Sequence, residues 1–383
     1  MDMSSFQFPG NPFSGSSGPQ NPLRPKRPGP FALTAIVLVI LGSLLVGISG
    51  FYADFLWFRS VEFQTVWSTV LITKASLFIF FGLITSLFIT TNIYLAYRSR
   101  PLYAPVSVEA DNLERYRGQL EPIRRWVLLA IALGFFYFSG TSGVALWERW
   151  MQFRNATPFG VKDSQFGLDI SFFVFKLPFY EALLAWAIST LILTIIASAA
   201  VHYLYSGIRL QVPEDKTTVA ARVQLSVLLG IFVLIKAVAY WFDRYALALK
   251  EGRLITGLSY TDVNALLPAK AILAGISIIC ALLFFANIIR RSWVLPAAGV
   301  SLLVISSVLI AGVYPAAIQQ FQVKPSESSK EAPYIQRNID ATRAAYGLSD
   351  VDVRDYRATI ETSAGQLKND EATISNIRLL DPT

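Results

Sequence analysis

Seven stretches of the chain stay apolar for about twenty residues each, and nothing else in the sequence constrains the fold as strongly. An α-helix rises ~1.5 Å per residue, so about 20 residues cross the ~30 Å hydrocarbon core of a bilayer. The stretches are 31–51, 66–94, 126–146, 178–205, 223–242, 269–289 and 294–314. In hydrocarbon every backbone N–H and C=O needs a partner, and runs of this length meet that need as helices. The second and fourth runs are long enough to tilt or project. Composition agrees: 15% of residues are charged and 54% apolar, where a soluble domain carries about 25% charged. The sequence therefore predicts an all-α membrane protein, a seven-transmembrane-helix bundle over 31–314.

Residues 1–30 are rich in Pro, Gly, Ser and Asn. They cannot bury enough apolar surface to offset ordering entropy and are predicted to form a disordered tail. The tail ends in Arg24, Lys26 and Arg27 ahead of the first apolar run, as a signal peptide would. No small-x-small cleavage site precedes Asp54, so the run is read as an uncleaved membrane helix. Cations in the short connections set the orientation. Arg98, Arg100, Arg115, Arg117, Arg124 and Arg125 follow the second run, Arg209, Lys216 and Arg222 the fourth, and Arg290 and Arg291 the sixth. All fall on the side of the tail, which is expected to be the cytoplasmic face of the cell membrane. Trp57, Trp67, Trp147, Trp150 and Trp241 cluster at the outer ends, and Tyr94, Tyr97, Trp126, Tyr203 and Tyr205 at the inner ends.

Two outer segments are expected to lie along the surface. The Phe-rich stretch 166–178 is too short to span and precedes Pro178, which is expected to open the fourth span. The stretch 260–268 is expected to be a short helix capped by Thr261 or Asp262. Beyond Tyr314 polar residues dominate. Here 337–346 reads as a helix, and 351–359 and 373–380 alternate as strands do. Residues 315–383 are thus expected to begin an extracytoplasmic α+β domain that the sequence does not complete.

The chemistry available is narrow. One His and one Cys exclude an intrachain disulfide and a Cys/His zinc site. A nucleophile–histidine pair could draw only on His202, and none of the phosphate-loop, dinucleotide, HExxH or CxxC patterns occurs. No catalytic residue, cofactor or metal is assigned, and a non-enzymatic role is expected. Cations sit at membrane flanks rather than on a folded basic face, so no nucleic acid is expected as a partner. The expected partners are the lipid bilayer and either envelope proteins or a second copy of the chain.

Charges within spans cost about 2.5–3.5 kcal/mol each at the bilayer centre on insertion scales. Lys74, Glu181, Lys236 and Lys270 fall inside the outer half of the spans. On one reading they line an outward vestibule in which Glu181 pairs with Lys74 or Lys236. On the other the lysines snorkel to the headgroups and Glu181 caps its helix. Lys236, Tyr240 and Asp243 share one face of the fifth span at i, i+4 and i+7, making Lys236 the first residue to test. His202 reads as an aromatic-belt residue or a proton relay, and Cys280 as a small packing residue. Gly42, Gly47, Gly50, Ala271 and Gly275 supply small surfaces for helix packing or an oligomer contact. Asp262 and Asn264 form a weak candidate cation site. No internal repeat or pair of Gly/Pro-broken spans is evident.

Four blocks carry a resemblance: SQFGLDISFFVFKLPFYEALL from Ser164, HYLYSGIRL from His202, GLSYTDVNALLPAK from Gly257, and YPAAIQQFQVKPSESSKEAPYIQRNIDATRAAY from Tyr314. Together they resemble uncharacterised protein family 0182, a bacterial and notably actinobacterial membrane family. The resemblance implies seven spans followed by a very large extracytoplasmic region, of which this chain would be the N-terminal part. At Pro325-Ser326-Glu327 the chain has Ser where the family usually has Asn. The resemblance implies no catalytic residues. An envelope anchor or assembly scaffold is the expected function, with a transporter or channel as the alternative. Charges converging on a central polar cavity would favour transport, and a packed apolar centre an anchor.

Overall fold

A computed structural model describes residues 30–101, 108–209, 216–252, 255–290 and 294–354. The expected disordered tail and the strand at 373–380 lie outside the described residues. Of the strand at 351–359 only 351–354 is described, and it is irregular. Among the described residues the helices are α1 Pro30–Ser60, α2 Gln64–Arg98, α3 Val108–Leu120, α4 Arg124–Val144, α5 Trp147–Arg154, α6 Phe172–Leu204, α7 Val219–Leu249, α8 Asp262–Arg290 and α9 Val294–Ala345. All but α3 and α5 are long and apolar enough to cross a membrane. The β structure among these residues is three isolated bridges, so the expected α+β region shows only helix as far as Ala345.

The chain divides into two compact units after Ser76. In the first, the rings of Phe51 and Phe55 pack on Trp67 at 5.0 and 5.2 Å. In the second, α2 and α4 approach closely through glycines. A Cβ at Gly82 would sit 2.6 Å from the Phe136 carbonyl oxygen, and one at Gly143 would sit 2.9 Å from that of Leu77. The small surfaces expected from the sequence do not behave this way. A Cβ at Gly42, Gly47, Gly50 or Gly275 would meet nothing within 4 Å. Further along, Val233 on α7 packs with Cys280, Ala281 and Phe284 on α8, and the Cys280 thiol reaches the Gly299 carbonyl at 3.2 Å.

A buried polar line follows α6. Thr190, Thr194, Ser198 and His202 recur every fourth residue and so share one helix face, and all are buried. At one end Trp186 Nε1 donates to Thr85 Oγ1 at 3.0 Å, and Thr85 Oγ1 lies 2.7 Å from Ser139 Oγ. At the other, His202 Nε2 lies 2.9 Å from Gln224 Oε1, whose amide donates to the Asn92 carbonyl at 2.9 Å. These bonds tie α2, α4, α6 and α7 together through groups that apolar surroundings would otherwise leave unsatisfied.

Helices α6 and α8 open in the same way, ninety residues apart: Gly167 matches Gly257, and Pro178 matches Pro268. Each opening starts with a glycine at positive φ, +66° at Gly167 and +111° at Gly257. A Leu follows, then the capping residue. Asp169 Oδ1 accepts from Ser171 N at 2.9 Å. At the matching position Ser259 Oγ accepts from Asp262 N at 3.3 Å, while Asp262 Oδ2 accepts from Ser259 N at 3.0 Å. The second arrangement is a capping box. Buried Ser171 matches buried Thr261. The wide turns Phe172–Lys176 and Asp262–Leu266 come next, each followed by Leu-Pro.

This repeat corrects three sequence expectations. The repeat exists; α6 opens before Pro178; and 260–268 runs directly into α8 as its opening, capped by Ser259 rather than Thr261 or Asp262. The wide turns explain how proline is carried inside the helices. Proline lacks an N–H and its ring clashes with the carbonyl four residues back, and widening the preceding turn to i→i+5 bonding moves that carbonyl aside. Pro315 and Pro325 in α9 follow their own wide turns, Leu309–Val313 and Ile318–Val323, at the same distance. Helix α9 therefore continues past Tyr314, where the apolar composition stops.

Candidate functional site at the proline end of the bundle

The starts of α6 and α8, the end of α7 and helix α5 gather at one end, here the proline end. Phe153 packs on Phe179 at 4.8 Å, Tyr180 on Phe242 at 5.2 Å, and Lys270 pairs with Asp243 at 2.7 Å. The polar half of α9 lies across both repeated openings. Both carboxylate oxygens of Glu331 accept from Tyr260 N, at 3.2 and 3.0 Å. Tyr260 stands at the opening of α8, just ahead of Asp262, where N–H groups lack intrahelical partners and the dipole favours an anion. Glu331 thus caps the start of α8 from another part of the chain. Asn338 Nδ2 donates to the Thr256 carbonyl at 3.0 Å, and Arg337 reaches Gln165 Oε1 beside the first opening at 3.3 Å. The Thr261 hydroxyl donates to Gln319 Oε1, and Lys330 lies 5.0 Å over the Tyr260 ring.

Between α9 and the second opening lies a recess of about 410 Å³. Its walls carry Lys250, Asp262, Lys324, Glu327 and Glu331. Asp262 is buried, and Lys250 Nζ lies 2.8 Å from its Oδ1. Asp262 and Glu331 are the buried carboxylates among the described residues. A smaller recess of about 170 Å³ lies between the two openings and α9. In the first opening, Asp169 accepts from Ser171 and from the backbone N–H groups of Phe159 and Gly160. The Ser171 bond and then those amides lower its pKa from 3.8 to about 2. The sign follows: the folded form favours ionised Asp169, so this contribution is complete above pH ~4 and disappears as the pH falls through about 2.

Of the residues singled out in the sequence, the structure brings Lys236, Tyr240 and Asp243 together, with a different pairing. Asp243 binds Lys270, while Lys236 Nζ lies 4.9 Å over the Tyr240 ring and Lys270 Nζ 5.5 Å from the same ring. Glu181 is exposed on α6 and makes no ion pair with Lys236 among the described residues. Lys74 lies half-buried on α2 within the first unit. His202 is 1% exposed, fixed by Gln224 rather than lying in an open belt. Asp262 and Asn264 diverge: Asn264 donates to the Tyr260 carbonyl and Asp262 is held by Lys250 and Ser259. No group of three His, Cys, Asp or Glu among the described residues is placed to hold a metal. Because Lys236 has a ring rather than a carboxylate as partner, Lys236→Met should change stability by less than about 1 kcal/mol in a detergent melt. A loss of several kcal/mol would reveal a buried pair.

The model of the Uncharacterised protein family (UPF0182) matches residues 31–383. The chain belongs to this family. It is 47% identical over 369 residues to a UPF0182 protein of Nocardioides sp., covering 95% of this chain and 37% of that one. A UPF0182 protein of Streptomyces coelicolor is 46% identical, covering 91% of this chain and 36% of that one. One from Thermobifida fusca is 43% identical, covering 99% and 36%. The chain thus spans about a third of the length of the curated relatives it matches. No solved structure matches it. The clamp residues Tyr260, Thr261, Gln319, Glu331 and Arg337 all fall within the blocks that carry the resemblance. The sequence reading did not single out Glu331 as functional. It is one of three acids, with Glu327 and Asp340, in a polar helix, and nothing in the sequence marks it out until the fold supplies Tyr260.

Proposed function

We propose that the chain is the membrane base of an envelope anchor or scaffold, and that it fixes the direction in which the following polypeptide leaves the membrane. One observation carries this reading. Helix α9 runs from an apolar, span-length segment through one tight 3-10 turn at Lys324–Ser326 into a polar segment, and that polar segment is clamped across both repeated openings. A flexible link would let whatever follows swing freely, whereas a docked helical segment gives it one orientation. The relatives are nearly three times as long as the matched stretch, which is what a base carrying a large further region requires. The arginine bias puts the N-terminus in the cytoplasm and the proline end outside. The distribution of buried charge favours an anchor over a conduit. Both buried carboxylates lie at the proline end, and the polar line along α6 carries hydroxyls and one imidazole.

Cysteine labelling in intact cells tests this directly, because native Cys280 is buried and gives a low background. Gly118→Cys on α3 should resist a membrane-impermeant maleimide, and Ala344→Cys at the end of α9 should react. Labelling of Gly118→Cys with protection of Ala344→Cys would invert the topology and end the outward-anchor reading.

A further inference from the structure

Where α2 ends, α4 begins and α6 ends, three guanidinium groups gather around two tyrosine rings. Tyr97 and Tyr205 stand edge to face, 5.1 Å apart. Arg100 lies 4.3 Å over Tyr97 and 5.6 Å from Tyr205, Arg124 lies 4.4 Å over Tyr97, and Arg117 lies 5.9 Å from Tyr205. Ring faces attract cations without neutralising them. The carboxylate in the group is Glu121, which accepts from Tyr97 at 2.8 Å, Arg124 at 3.0 Å and Arg100 at 3.4 Å. Bonding from Tyr97, reinforced by Arg100 and Arg124 and opposed by desolvation, holds its carboxyl below the usual range. Three positive charges against one negative leave an excess of two.

The knot is also built to stay in place. Arg117 donates to the Leu204 carbonyl at 2.5 Å and to Ser206 Oγ at 2.6 Å, capping the end of α6 and fixing α3 to the bundle. The side chains of Arg100 and Arg124 are 40% and 34% exposed, so both can reach a ligand from outside. The flank beside it is apolar and open: Tyr94 and Leu95 on α2, and Trp126, Leu129 and Leu133 on α4. Fixed guanidinium groups thus stand where apolar spans end, the level at which lipid phosphates lie, above a surface suited to acyl chains.

We propose that the Arg100–Arg117–Arg124 knot binds the phosphate of an anionic phospholipid, with its acyl chains along Leu129 and Leu133. Guanidinium forks match phosphate oxygens in geometry and charge. A zwitterionic lipid brings its own cation and gains less from the excess charge. The proposal stands apart from the anchor reading, since a transporter could carry the same site.

The full chain, purified in neutral detergent, is melted thermally against increasing phosphatidylglycerol, phosphatidylcholine or inorganic phosphate. Phosphatidylglycerol should raise the midpoint, phosphatidylcholine should do little, and phosphate at equal concentration should do nothing. Arg100→Gln spares the bonds that Arg117 and Arg124 make to the fold, and should weaken the apparent affinity for phosphatidylglycerol about fivefold. Glu121→Gln raises the excess charge and should tighten binding. Arg290→Gln, at the end of α8, should leave binding unchanged. Three results would overturn the proposal: equal effects of the two lipids, equal weakening by Arg100→Gln and Arg290→Gln, or an equal shift from inorganic phosphate alone.

Discussion

Replacing Asp262 with alanine is expected to lower the stability of the detergent-solubilised protein by about 3 kcal/mol. The side chain is 3% exposed and holds three donors: Lys250 Nζ, Ser259 N and Ser259 Oγ. Its loss leaves two of them near the buried start of α8 without an acceptor and breaks the capping box. It also strands Lys250, although that ammonium is 46% exposed and water takes over much of its solvation. The reverse change, Lys250→Met, leaves the buried carboxylate with its two serine donors. It should therefore cost less, about 1–2 kcal/mol. In a double-mutant cycle the two changes should couple, and the pair should lose less than the sum. Additivity would mean that the ion pair contributes nothing and the capping box carries the whole effect.

Gly82→Ala should cost about 2 kcal/mol, and the cause is local. The added methyl would lie 2.6 Å from the Phe136 carbonyl oxygen, a backbone atom that cannot rotate away. Helices α2 and α4 would have to separate, which would loosen the nearby bond from Ser86 Oγ to the Ala132 carbonyl at 2.8 Å. Gly134 on α4 is the control, because a Cβ there would meet nothing within 4 Å. Gly134→Ala should raise stability by up to about 1 kcal/mol through helix propensity alone. Melts that moved in the same direction for both variants would remove close packing as the explanation.

The seven spans were legible because about twenty apolar residues in a row have few other structural outcomes. Their ends were harder to read, and prolines account for most of the error. A proline usually stands in the first turn of a helix, so Pro178 pointed to a start that is too late. The wide turn before it depends on hydrogen-bond register, which leaves no compositional mark. At Tyr314 hydropathy changes but the chain stays helical, so α9 continues through Pro315, Pro325 and Pro333. The repeated opening was present in the sequence as Gly-Leu, a Ser or Thr four residues after the Gly, and Leu-Pro at a spacing of ninety residues. A search for transporter-like broken spans passes over it because neither span breaks. Lys236, Tyr240 and Asp243 were correctly placed on one face of α7. The choice of Lys270 as partner to Asp243 lies on a different helix and needed the fold. The same holds for Glu331 and Tyr260, which are 71 residues apart.

The clamp on α9 is the center of this account, and a spin-label distance measures it most directly. Labels at Asn155, just past α5, and at Ala344, near the end of α9, would be introduced in the full chain with Cys280 replaced by alanine, and the protein reconstituted in lipid nanodiscs. The account expects one narrow distance distribution, broadening markedly when Glu331→Ala and Arg337→Ala remove a contact to each of the two openings. A broad distribution in the unsubstituted clamp, or a narrow one that the double substitution leaves unchanged, would contradict it.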